Sequence, residues 1–129
     1  MQDLVIRIVF ILGNLTAKSN QARELFSRET GSVETLLTLF QSFYHHKENS
    51  PKLQLSEAKP QAEAEDVLVK LTRVLANIAI HPRIGPVLAA NPRVVGLLLR
   101  TLGESCSPET DLWEAVVRAW LTLRNLFKL

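Results

Sequence analysis

At 129 residues, with 47% apolar and 22% charged side chains, the chain has room for one soluble core. An aromatic share of 6%, beside abundant Leu, Val, Ala and Ile, favours helices packed on helices over a β-sandwich, and a net charge of +2 does not by itself call for nucleic acid. The one cysteine, Cys106, leaves no intramolecular disulfide to form, so a reducing, cytoplasmic compartment is the expectation.

The first apolar run, residues 1–13, is interrupted by Asp3 and Arg7. It is too short to span a bilayer and lacks the flanks of a signal peptide. From 3 to 16, Leu4, Val5, Ile8, Val9, Ile11, Leu12 and Leu15 form a wide helical stripe. This helix starts almost at the first residue, so the chain is expected to begin inside a structural unit and to be a piece of something longer. Ser19-Asn20 then offers an N-cap for a two-turn helix over 21–27, and Gly31 supplies a stop. Ser32 restarts the chain, with Val33, Leu36, Leu37, Leu39, Phe40 and Phe43 carrying an amphipathic helix to about His45.

Residues 47–62 are polar, contain Pro51 and Pro60 and show no helical period, which predicts an exposed, disordered insertion. The acids Glu63, Glu65 and Asp66 then suit a helix N-terminus. The stripe Val67, Leu68, Leu71, Val74, Leu75, Ile78, Ala79 runs to His81-Pro82, where proline disfavours helix before it. A short helix is expected over 84–89. Asn91 caps and Pro92 opens the next helix, with Val94, Val95, Leu97, Leu98 and Leu102 apolar. A turn over 103–107 follows, and Ser107 and Pro108 are expected to start the last helix, whose apolar residues include Trp113, Val116, Val117, Trp120, Leu121 and Leu123.

The order is long; short, medium, long; short, medium, long. One signature recurs on the three long helices: Leu12-Gly13-Asn14-Leu15, Leu75-Ala76-Asn77-Ile78 and Leu123-Arg124-Asn125-Leu126. The second and third copies lie 48 residues apart, near the period of roughly 40–47 of helical arrays. The first two lie 63 apart, and the insertion accounts for the excess. Aligned on the Asn, positions two before it (Leu12, Leu75, Leu123), one after it (Leu15, Ile78, Leu126), six before it (Ile8, Leu71, Ala119) and nine before it (Val5, Leu68, Val116) share a face that should be core. Seven before it stand Arg7, Lys70 and Arg118, basic in every unit; four before it stand Phe10, Arg73 and Leu121.

Leu-x-Asn-apolar on the third helix, followed by a polar corner, a short helix and a Leu-rich one, resembles the armadillo repeat over nearly the whole chain. The resemblance implies an all-α, right-handed superhelical solenoid of about two and a third three-helix repeats: a truncated repeat at 1–17, one with the insertion at 18–80, and one at 81–129. It also implies a concave groove in which Asn14, Asn77 and Asn125 grip an extended peptide. Arg7, Lys70, Arg73 and Arg118 would there attract an acidic protein segment, beside Phe10. Nuclear-import adaptors of the family carry Trp four residues before the Asn; Phe10, Arg73 and Leu121 depart from that, so nuclear-localisation signals are not the expected ligand. One family member with similar wording serves assembly of ciliary and sperm-flagellar axonemes, which implies ciliary or flagellar proteins as partners and a place in the cilium.

Other readings stay open at this level. An Asn near a helix end can satisfy neighbouring backbone, and aligned basic residues can be simple solvation. A basic helical repeat could instead bind nucleic acid or tubulin by charge, or Trp113 and Trp120, seven apart on one face, could dock to another domain. No chemistry is legible: His45-His46 diverge on a helix, His81 sits at a proline corner, and Cys106 has no activating His nearby. Neither a phosphate loop nor a Ser/His/Asp arrangement is present. A non-enzymatic binding protein without metal, cofactor, membrane or small-molecule substrate is the expectation.

Overall fold

The computed structural model describes residues 2–29, 31–49, 58–104 and 110–126, with the side chains of some helix-end residues, 46–49 and 58–63 among them, outside that description. Seven α-helices follow in order: α1 (Gln2–Lys18), α2 (Asn20–Arg28), α3 (Ser32–Asn49), α4 (Ala58–Ala79), α5 (Ile84–Ala89), α6 (Pro92–Glu104) and α7 (Asp111–Leu126).

Local chemistry sets the breaks. The Ser19 hydroxyl accepts from the Ala22 amide at 3.1 Å, from an extended backbone that interrupts the helical path between α1 and α2. Gly31 adopts φ 78°, a left-handed conformation natural to glycine, and turns the chain from α2 into α3. At the Asn91-Pro92 restart, the Asn91 side-chain oxygen accepts from the Arg93 amide at 2.9 Å. For α7 the Thr110 hydroxyl accepts from the Trp113 amide at 3.2 Å, one turn after the expected start; Ser107 and Pro108 lie outside the described residues, as does Cys106.

The ends of the insertion are corrected. Helix α3 continues through Asn49 and α4 begins at Ala58, so 47–49 and 58–62 are helical. Pro60 does not prevent this, because the first turn of a helix has no partner for the N–H that proline lacks. Residues 50–57 lie outside the described part.

Helix α4 is the hub. It packs against α1 on one side, α7 on the other and α3 behind, while α5 bridges α4 and α7 and α6 packs on α7. Its own Val67, Leu68, Leu71, Val74 and Ile78 are fully buried, joined by Leu37 and Phe40 of α3, Leu88 of α5, Leu98 of α6 and Leu112 and Val116 of α7. Each such side chain contributes about 1.5–3 kcal/mol by leaving water. Thr72, buried among them, returns its hydroxyl to the Leu68 carbonyl at 2.7 Å and so buries no unpaired polar atom.

The first helix departs from the expected core pattern. Ile8 and Leu15, assigned to the buried face by alignment, are exposed, together with Leu4 and Ile11; Val5 and Leu12 are only partly covered. In the described structure α1 has a long neighbour, α4, on one flank only, and the other flank faces solvent. At its C-terminus α1 is held by buried Arg23: Nε donates to the Thr16 carbonyl at 2.6 Å and a terminal nitrogen to the Ala17 carbonyl at 2.9 Å. The guanidinium thus satisfies carbonyls that end the helix and sits at the negative end of its dipole.

Candidate binding groove

The three helices that carry the repeated signature, α1, α4 and α7, lie side by side, and between them opens a cleft of about 250 Å³. Its floor holds Val9, Gly13, Ala17, Ala76 and Ala115, mostly too small to fill it. Phe10 and Asn14 line it from α1, Lys70, Arg73 and Asn77 from α4, and Arg118 from α7. Six of the eight groove residues expected from the sequence therefore meet in one place. Arg7 is exposed on α1 but does not line the cleft, and the side chain of Asn125 lies outside the described residues.

Asn14 and Asn77 sit in different circumstances despite equal positions in the signature. Asn14 is exposed. Asn77 is half-buried, and its Nδ2 donates to the Gly13 carbonyl at 3.1 Å and to the Thr16 hydroxyl at 3.2 Å. That amide nitrogen ties α4 to α1, while its oxygen makes no hydrogen bond among the described residues. Thr16 in turn donates to the Leu12 carbonyl at 2.7 Å. A side-chain tie between adjacent third helices is the structural alternative that the sequence left open.

Two residues in the cleft were not anticipated as part of it: Asp111 and Glu114 of α7. They stand 41 positions after Lys70 and Arg73, and Arg118 stands 41 after Asn77. A spacing of 41 thus brings Asp111, Glu114 and Arg118 into the same cleft as Lys70, Arg73 and Asn77. Alignment on Leu-x-Asn implied 48 instead. The two registers differ by seven, and a seven-residue slip returns a helix to almost the same face. Apolar patterning therefore could not separate them.

The charges are partly spent. Lys70 Nζ lies 2.8 Å from Asp66, one turn earlier, and 5.8 Å over the ring of Phe10. Arg118 pairs with Glu114 at 3.0 Å. Both pairs are solvent-facing i, i+4 contacts of small energetic value, but they halve the basic character expected of this wall. Arg73 and Asp111 face the cleft with no ion pair or hydrogen bond among the described residues. The result is a wall with charges of both signs.

The remaining candidates have structural surroundings. His81 is buried at the corner after α4, its Nδ1 accepting from the Arg83 amide at 3.1 Å and its Nε2 3.8 Å from Glu24. Trp113 and Trp120 are partly buried on α7. His45 is exposed, and His46 lies outside the described side chains. Among the described residues no group of His, Cys, Asp or Glu is placed to hold a metal ion, and no helix is long and apolar enough to cross a membrane.

Over 125 residues, 97% of its length, the chain is 84% identical to armadillo repeat-containing protein 2 of Mus musculus. It is 58% identical to the protein of that name from Homo sapiens and 57% identical to that from Bos taurus, each again over 97% of the chain. The chain spans 14% of the length of the mouse relative and 15% of each of the other two. No family model matches it, and no solved structure does. The resemblance read from the repeated Leu-x-Asn signature holds, and with it the all-α armadillo-type solenoid.

Proposed function

We propose that this segment, similar along nearly all of its length to part of armadillo repeat-containing protein 2, is a non-catalytic interaction module that holds an extended partner polypeptide in the α1–α4–α7 groove. The observation that carries the proposal is the convergence of Phe10, Asn14, Lys70, Arg73, Asn77 and Arg118 on one cleft. Asn14 and the Asn77 oxygen supply polar groups for a peptide backbone, and Arg73 supplies a cation for an acidic side chain. The partner is then a protein, and the axonemal resemblance suggests a component of the cilium or flagellum.

A charge-only reading, with nucleic acid or tubulin as ligand, has less support. Lys70 and Arg118 are already paired with acids, and Asp111 faces the same cleft. Such binding would fall steeply with salt and ignore Asn14.

The test is a pull-down from ciliated-cell lysate with the wild-type chain, with the groove variant Asn14→Ala/Arg73→Ala and with the distant control Leu99→Ala. All three residues are exposed, and circular dichroism checks that folding is kept. Partners lost with the groove variant and retained with the control support the proposal. A partner list indifferent to the groove variant sinks it.

A further inference from the structure

The charges left unpaired in the groove narrow the partner further, on the premise that the groove is the binding site. On α1 the exposed ring of Phe10 reaches the cleft; on α4, Arg73 does; on α7, Asp111 does. The latter two are exposed and unpaired among the described residues, and the neighbouring Lys70 and Glu114 are each engaged on their own helix, with Asp66 and Arg118. The three helices thus present in succession an apolar, a cationic and an anionic contact. A run of acids would be drawn to Arg73 but repelled by Asp111 and Glu114; a run of bases would meet the reverse.

We infer that the groove takes a polypeptide segment carrying an apolar, an acidic and a basic side chain in that order, read by Phe10, Arg73 and Asp111. Packed helix axes lie about 8–10 Å apart, and an extended chain advances about 3.3 Å per residue. Crossing the helices therefore separates the three side chains by intervals of about three residues. The order orients the segment, because reversing it keeps the acid on Arg73 but moves the base away from Asp111 to Phe10 and sets an apolar side chain against the Asp111 carboxylate.

The experiment is selection of a random twelve-residue peptide library displayed on phage against the purified chain, followed by fluorescence anisotropy of the selected peptides with wild type, Asn14→Ala, Arg73→Ala and Asp111→Asn. Enriched peptides are expected to carry the apolar–acidic–basic order. Arg73→Ala should weaken them roughly five- to tenfold, Asp111→Asn should do so comparably, and a peptide with acid and base exchanged should lose binding. Enrichment of acids alone, insensitive to Asp111→Asn, overturns this inference and leaves the groove proposal standing with an acidic ligand. Enrichment indifferent to Asn14→Ala, Arg73→Ala and Asp111→Asn alike, or no enrichment, overturns both.

Discussion

Helices α1 and α4 carry the same pattern and meet different fates. At equivalent positions of the repeated signature, Leu71 and Ile78 of α4 are 0% exposed, whereas Ile8 and Leu15 of α1 are 48% and 53% exposed. Both helices have the side-chain chemistry of a core element. Only α4 has long helices on two flanks, α1 and α7, with α3 behind it. Periodicity thus says which face of a helix can be buried; the arrangement of neighbours says whether it is. The same contrast runs through the signature Asn, exposed as Asn14 and hydrogen-bonded into the α1–α4 joint as Asn77.

The contrast can be broken most strongly by truncating the matched pair. Leu71→Ala should cost about 2–5 kcal/mol in urea unfolding, because it leaves a cavity in the hub. Ile8→Ala should cost less than about 1 kcal/mol, its side chain being half in water already. Equal losses would mean that the free flank of α1 is covered in solution.

A smaller effect should come from the other end of α1. Arg23→Met removes the donors to the Thr16 and Ala17 carbonyls, and a loss of roughly 2–3 kcal/mol is expected from charge-assisted hydrogen bonds at a buried site. Hydrogen exchange should then show α1 opening while α4 amides remain protected. Uniform deprotection would instead make α1 and α4 one cooperative unit.

The finest distinction lies within the signature. Asn77→Ala should lower stability by about 1 kcal/mol, through the lost tie to Gly13 and Thr16. Asn14→Ala should leave the thermal midpoint where it was. If both variants melt like wild type, the Asn77 contacts contribute nothing to the joint.

Much of the fold is legible in the sequence because its signals are local. Ser19, Asn91 and the His81-Pro82 corner are capping and backbone effects, and α5 covers the expected 84–89. The insertion was legible as a break in period but not at its edges, where 47–49 and 58–62 continue flanking helices in spite of polar composition. Arg23 gave no signal: a lone arginine on a short polar helix reads as surface, and only the fold of α2 against the end of α1 buries it. In the groove, Asp111 and Glu114 read as ordinary acids at a helix N-terminus. Their place in the same cleft as Lys70 and Arg73 is one that a seven-residue ambiguity of register hides.

The residues by themselves thus determine an all-α repeat, its breaks, its apolar faces and six side chains that come to line one cleft. These depend on backbone sterics, capping and helical period, all set within a few residues of chain. Tertiary structure alone decides how far each apolar face is buried, which Asn is spent on a neighbouring helix, and how many of the groove's cations stay uncompensated. Those outcomes depend on which helix stands beside which and at what level, and the energies that set them act between residues as distant in sequence as Gly13 and Asn77.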